Sequence, residues 1–271
     1  MVRVMIFHHM ASARVASFGL VAALSALTIT VPTAAMVGGA QPAADGAGRS
    51  VIMLDGSGGT VCTATAIGRD LLLTAAHCVQ PGSEYKFLEN PASREAKLKD
   101  IARIERHPQF DLKRLFAHLA TADVALIKLA QPLPAKIPAV RLGSESETVA
   151  VGDAFAVAGY GVTVRGAERL DGVVRAATLV ATGQPGPLQI RLFDPRTKGE
   201  SVGLGACTGD SGGPAFREEN GNLVIIGVVS WSTGPKLTAG CGGLTGITPI
   251  VRYRAWIVDT ARALGSPLGQ N

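Results

Sequence analysis

The sequence predicts an all-β protein of two strand-rich halves closed by a C-terminal helix, and three observations carry that reading. Among 271 residues there are 33 glycines and 15 prolines but only 17% charged residues, which favours many turns over long helices. The apolar runs are short and bounded by turn residues along most of the chain. Only the final stretch, Pro249 to Ala263, sets Ile250, Val251, Trp256, Ile257 and Val258 among Arg and Thr in the pattern of an amphipathic helix. The length suffices to bury a sizeable core in one or two compact units.

The chain opens on what reads as an export signal, residues 1–35. Arg3 and Arg14 supply a positive start, Phe18 to Val31 is a mostly apolar run of 14 residues, and Thr33-Ala34-Ala35 places small residues at a cleavage site. A membrane anchor is the alternative, but the run is shorter than the roughly 20 residues that span a bilayer. The mature chain is therefore expected to begin at Met36 and to work as a secreted protein, with no membrane contact once the signal is removed. The formal net charge of +5 loses two arginines with the signal, and 24 bases against 21 acids leave +3. No Lys/Arg cluster dense enough to track phosphates is present, so nucleic acid is excluded as a partner.

In the first half, Ser50 to Leu54 reads as a short strand and Asp55 to Gly59 as a turn. Thr60 to Ile67 and Asp70 to Thr74 read as two strands joined by Gly68-Arg69. The second of these runs directly into Ala75-Ala76-His77-Cys78. Lys97 to Arg106 suggests an exposed strand, and His107 and His118 beyond it read as surface residues. Asp123 heads the apolar strand Val124 to Leu129. Pro132, Pro134 and Pro138 mark an extended connector that joins no sheet ladder. The expected halves are thus 36–138 and 139–271. In the second, Asp153 to Tyr160, Val173 to Ala181, Leu188 to Phe193 and Asn222 to Trp231 read as strands.

The chemistry is concentrated at Ala206-Cys207-Thr208-Gly209-Asp210-Ser211-Gly212-Gly213-Pro214. Glycines on both sides of a serine are costly in a helix or strand but suit a tight loop whose backbone N–H groups turn together toward a developing negative oxygen. A serine hydroxyl is a weak nucleophile near neutrality, so the loop requires a base and a group to orient it. His77 and Asp123 are the candidates. Taken alone, His77 reads as a hydrogen-bonded core residue and Asp123 equally as an exposed strand start, since burying it needs partners. The four cysteines allow three pairings, and with no Cys-x-x-Cys spacing a zinc site has little support. Glu84 and Glu89 supply too few oxygens for a calcium loop. No metal and no cofactor is expected.

Thr74-Ala75-Ala76-His77-Cys78, Asp123-Val124-Ala125-Leu126 and Gly209-Asp210-Ser211-Gly212-Gly213-Pro214 resemble, in that order, the three signature blocks of the chymotrypsin/trypsin-like serine proteases. The resemblance runs from Met36-Val37-Gly38-Gly39 through Ser230-Trp231-Ser232 to the terminal helix. It implies two six-stranded antiparallel β-barrels with a C-terminal α-helix and an active site in the cleft between the barrels. It further implies a catalytic triad of His77, Asp123 and Ser211, an oxyanion hole from the N–H groups of Gly209 and Ser211, and disulfides Cys62–Cys78 and Cys207–Cys241. Ser230 matches the serine that bonds the buried aspartate, and Ser230-Trp231-Ser232 the strand that pairs with substrate backbone. A newly released amine at Met36 would bury itself against Asp210; the family usually has Ile or Val at that position. Gly205 would form the base of the primary specificity pocket, with Ser232 and Gly246 in its walls. No acid occurs from Ser230 to Val258, which predicts a neutral or apolar P1 residue and not Arg or Lys; Lys236 offers the alternative of an acidic P1. The partners implied are a polypeptide substrate and a protein protease inhibitor, with the protease a monomer. The rival class is a protease-fold binding protein without catalysis. An esterase uses the same chemistry, whereas an α/β-hydrolase would place its serine before its Asp and His, the reverse of this order.

Overall fold

The computed structural model describes residues 36–89, 91–92, 97–117, 119–167 and 170–269. The export-signal reading of 1–35, and His118, lie outside them. The first half forms β1 (Gln41–Pro42), β2 (Val51–Gly56), β3 (Val61–Ala66), β4 (Leu71–Thr74), β5 (Tyr85–Glu89), β6 (Lys97–Arg106) and β7 (Ala125–Leu129). Strands β2 to β7 close on themselves in the order β2-β3-β4-β7-β6-β5, all antiparallel. Closure leaves no edge to pair elsewhere. The interior is filled by Leu54, Leu71, Leu72, Leu73, Leu126 and Ile127, none more than 1% exposed. By contrast β6 is largely exposed, and its Lys99 and Asp100 pair with Glu89 and Lys86 at 3.3 Å, contacts worth little in water.

The second half forms β8 (Arg141–Leu142), β9 (Ala154–Gly159), β10 (Arg175–Thr182), β11 (Ile190–Phe193), β12 (Pro214–Glu219), β13 (Asn222–Ser232) and β14 (Leu244–Pro249). Six of these close antiparallel in the cycle β9-β10-β11-β14-β13-β12, with β1 added to β10 and β8 laid parallel to β13. The expected pair of six-stranded barrels is therefore present. Phe155, Val157, Leu179, Leu192 and Ile247 form the second core, and Met36 is buried among them. Between β12 and β13, Asn220 (φ 51°) and Gly221 (φ 77°) make a two-residue turn of the kind that matches strand twist.

Several elements differ from the sequence reading. Strand β14 runs on through Pro249, Ile250–Tyr253 is a 3-10 turn, and the terminal helix α2 spans only Arg254–Ala263. Pairing of Pro249 with Gly227 holds the chain extended where the apolar pattern suggested helix. A one-turn helix, α1 (Leu112–Phe116), was not expected; Asp111 caps it by accepting the N–H groups of Lys113 and Arg114 at 2.8 and 3.2 Å. His107 is not a surface residue. It is only 9% exposed, edge-on to Tyr253 and Trp256 with centroids 4.9 Å away in each case, and burial, aided by the charge of Arg252, lowers its pKa. The three rings dock the C-terminal segment against the first barrel, whose core also takes in Ile257 and Ala261. Beyond α2, Lys128 Nζ lies 2.5 Å from both Asp70 Oδ2 and Ser266 Oγ, and Ser266 Oγ donates to Asp70 Oδ1 at 2.6 Å.

Candidate active site

Strand β4 delivers His77. Its buried leucines end at Thr74, and a 3-10 turn, Ala76–Val79, follows with Cys78 tied back to Cys62 on β3. The other disulfide is Cys207–Cys241. Both pairings implied by the family resemblance are thus present. Cys62, His77 and Cys78 gather within 4.8 Å, but with the two sulfurs bonded to each other neither can serve as a thiolate ligand.

Asp123 precedes β7 and is fully buried. Its Oδ1 accepts the His77 backbone N–H at 2.9 Å, while Oδ2 faces His77 Nδ1 at 2.7 Å and accepts the Ser230 hydroxyl at 2.5 Å. Three donors explain how a carboxylate is tolerated without exposure. They also fix the imidazole: Nδ1 carries the proton that faces the carboxylate, leaving Nε2 as an acceptor. Ser230 comes from the second barrel, where the register of β13 against β14 shifts between Val229 and Trp231. A bulge of this kind re-aims a side chain, here toward the first barrel's aspartate.

Ser211 is half-buried in the glycine loop ahead of β12. Its carbonyl accepts the Thr63 N–H at 2.8 Å and lies 3.5 Å from Cys78 Sγ, the same sulfur that lies 3.8 Å from His77 Nε2. Serine and imidazole therefore converge on one disulfide. Among the described residues the Ser211 hydroxyl makes no hydrogen bond, and neither Gly209 nor Ser211 spends its backbone N–H. Two unspent donors beside a free hydroxyl can hold a negative oxygen next to the atom that forms it. Gly212 (φ 83°) permits the close approach: a Cβ there would sit 2.1 Å from Thr74 Oγ1 and 2.2 Å from the Thr63 carbonyl oxygen.

Asp210 is fully buried and accepts the N–H groups of Gly161 and Cys207 at 2.8 Å each. Burial pushes its carboxyl up to about 7, and the two N–H groups offset only part of that. Met36 is buried in the same barrel and Val37 bridges to Gly205, but no hydrogen bond joins Met36 to Asp210 among the described residues. In this continuous chain the nitrogen of Met36 is a peptide nitrogen.

Gly205 is buried against Gly242 and Thr245. Thr245 Oγ1 accepts the Ala206 N–H at 2.9 Å, and Ser232 Oγ donates to the Gly240 carbonyl at 3.2 Å. Gly246 pairs with Trp231, and the indole rests on it: a Cβ at Gly246 would lie 2.0 Å from Trp231 Cε2. The carboxylate of Asp194, buried beside this region, is committed to the N–H groups of Arg196 and Leu204 at 2.9 Å each. Lys236 is exposed. Sequence reasoning missed Thr63, Thr245 and Tyr160, which line or support the site. The one available signal was the pair of threonines, Thr63 and Thr65, in an otherwise apolar strand.

A family model described as Trypsin matches residues 37–257. The chain is 31% identical over 191 residues to transmembrane protease serine 9 of Rattus norvegicus, covering 64% of this chain and 17% of that protein. It is 28% identical over 221 residues to snake venom serine protease rhinocerase 4 of Bitis rhinoceros, covering 77% and 81%. Against serine protease 56 of Mus musculus the identity is 26% over 246 residues, covering 83% and 38%.

Proposed function

The chain belongs to the trypsin family of serine proteases, and from that premise we propose that it is a secreted endopeptidase working through an acyl-enzyme. Ser211 attacks the scissile carbonyl, His77 takes the hydroxyl proton at Nε2 and returns it to the leaving amine, and Asp123 holds the tautomer and stabilises the imidazolium. The N–H groups of Gly209 and Ser211 bind the oxyanion. Water then repeats the sequence on the ester and frees the acid. The observation that carries the reading is the 2.7 Å contact of His77 Nδ1 with an Asp123 carboxylate itself held by Ser230, an arrangement with little purpose in a binding protein. A fluorophosphonate should label Ser211 in the purified protein and fail on His77→Ala. Wild-type protein that stays unlabelled would leave the non-catalytic binding protein as the better reading.

The primary pocket takes a neutral or apolar P1 residue. Support comes from the Gly205 base, flanked by Gly242 and Thr245, and from the backbone commitments of Asp194. A buried cation without a counter-charge costs several kcal/mol. A panel of peptide substrates varied at P1 should therefore show cleavage after small or apolar residues at least about a hundredfold more efficient than after Arg; efficient cleavage after Arg would overturn the assignment.

Export would itself generate the active end. Removal of residues 1–35 frees an amine at Met36, and that ammonium supplies the positive charge that the buried Asp210 carboxylate lacks. N-terminal sequencing of secreted protein should begin at Met36, and a start elsewhere would refute this route.

A further inference from the structure

We propose that Thr63, a residue of the first barrel, is a positioning residue for the oxyanion-binding loop of the second barrel, acting through its hydroxyl on the Gly209 carbonyl. The inference rests on the protease reading above. Thr63 is fully buried, and its Oγ1 lies 2.7 Å from the Gly209 carbonyl oxygen and 3.1 Å from the Tyr160 nitrogen. Tyr160 can only donate through that nitrogen, so Oγ1 accepts from it and turns its own hydrogen to Gly209. The direction of both bonds is settled by the partners.

The effect on the loop follows from which peptide planes are held. Val162 donates to the Thr208 carbonyl at 2.8 Å; in a trans peptide this aims the Gly209 N–H the opposite way. The next plane is held at one end by Thr63 on the Gly209 carbonyl and at the other by Asp210 N–H on the Cys207 carbonyl at 3.0 Å. Gly213 donates to the Asp210 carbonyl at 2.9 Å, fixing the plane that bears the Ser211 N–H, while the Thr63 backbone N–H holds the Ser211 carbonyl at 2.8 Å. Thr63 thus grips the loop at both residues whose N–H groups remain free. Gly209 sits at φ 95° with no side chain to resist rotation, so a peptide flip there is opposed by hydrogen bonds rather than by sterics. Thr63 is itself braced, its carbonyl accepting the Thr74 hydroxyl at 2.8 Å.

The test uses the mature protein with Thr63→Val, which keeps the shape and removes the hydroxyl, and Thr63→Ser, which keeps the hydroxyl. Thr63→Val should lower kcat for a neutral-P1 ester about tenfold with KM changed less than about twofold, and weaken a peptide boronate that forms a tetrahedral adduct by a similar factor. Thr63→Ser should restore kcat to within about threefold of wild type. Should Thr63→Val not fold, Thr63→Ala leaves room for a water to satisfy Gly209 and Tyr160, and its rate of fluorophosphonate labelling should still fall severalfold. Unchanged kcat in the hydroxyl-less variant, an equal loss in Thr63→Ser, or a loss confined to KM would overturn the proposal. Labelled wild type with unaffected variants would sink this inference alone, whereas unlabelled wild type would take the protease reading down with it.

Discussion

At Asp123 three donors share one buried carboxylate, so an amide in its place would keep the shape and lose the charge. Its nitrogen would face a donor it cannot accept from and turn the imidazole to the wrong tautomer. Asp123→Asn is expected to reduce kcat about ten-thousandfold with a much smaller change in KM, measured by ester hydrolysis. A different failure is expected at Gly212, where an added methyl would meet Thr74 Oγ1 and the Thr63 carbonyl within 2.2 Å at a positive φ. Gly212→Ala should cost about 3 kcal/mol or more of stability, seen as a lowered urea midpoint, as well as activity. His77, Asp123 and Ser211 were legible because each stands inside a local motif with its own reason to exist. Thr63 was not, since its partner Gly209 lies 146 residues away and no local pattern announces that bond. His107 was misread for a related reason: its neighbours in sequence are loop residues, and only folding brings Tyr253 and Trp256 around it.

Among the elements, the post-helical segment shows how the end of the chain is fastened. Burial pushes the Asp70 carboxyl up, but its bonds to Lys128 and Ser266 outweigh this and lower it overall. A lowered carboxyl contributes stability that is present above its unfolded value near 4 and fades as the pH falls through the folded one. Ser266→Ala should therefore cost about 1 kcal/mol at pH 7, discounted for partial exposure, and less once the pH falls below the ordinary carboxyl value near 4; thermal unfolding on either side of that value checks both parts. Most of the strands that build the barrels were readable from short apolar runs and turns, but β5 and β14 were not. The one-turn α1 carries too few residues to show a period, and β12 opens on Pro214 directly after the glycine loop and ends in Arg217, Glu218 and Glu219. The terminal helix was read too early because Pro249 and Ile250 continue the apolar pattern while obeying strand pairing.

For the molecule as a whole, the state of Met36 should govern how stability varies with pH. With residues preceding Met36 still attached, Asp210 binds a proton up to about 7 in the folded form but releases it near 4 when unfolded. The folded state thus holds the extra proton across that interval, and stability falls as pH rises through it. In the proposed mature form an ammonium at Met36 would pair with this carboxylate, and its pKa would then lie above the free value of about 7.7–8.0. The stability and activity of that form should hold through neutrality and decline as the pH climbs past that raised value. Thermal unfolding of the two forms from pH 4 to 10 should place the loss of stability in different windows, between about 4 and 7 for the extended chain and only above about 8 for the one starting at Met36, and superimposable profiles would refute the pairing. The two barrels were foreseeable from the family's sequence blocks, but their closure strand by strand was not, because register depends on partners far apart in the chain.

The grip of Tyr253, Trp256 and Ile257 on the first barrel also sets an order of events during biosynthesis. A polypeptide emerging from the ribosome exposes all six strands of its earliest barrel before the residues that cover one side of it, Tyr253, Trp256 and Ile257, have been made. Under the proposed reading, the imidazole and its carboxylate are made well before the serine they would activate, and the lock on their half comes later still. Under the same reading, a chain halted before Ser211 would hold a base with no nucleophile to activate.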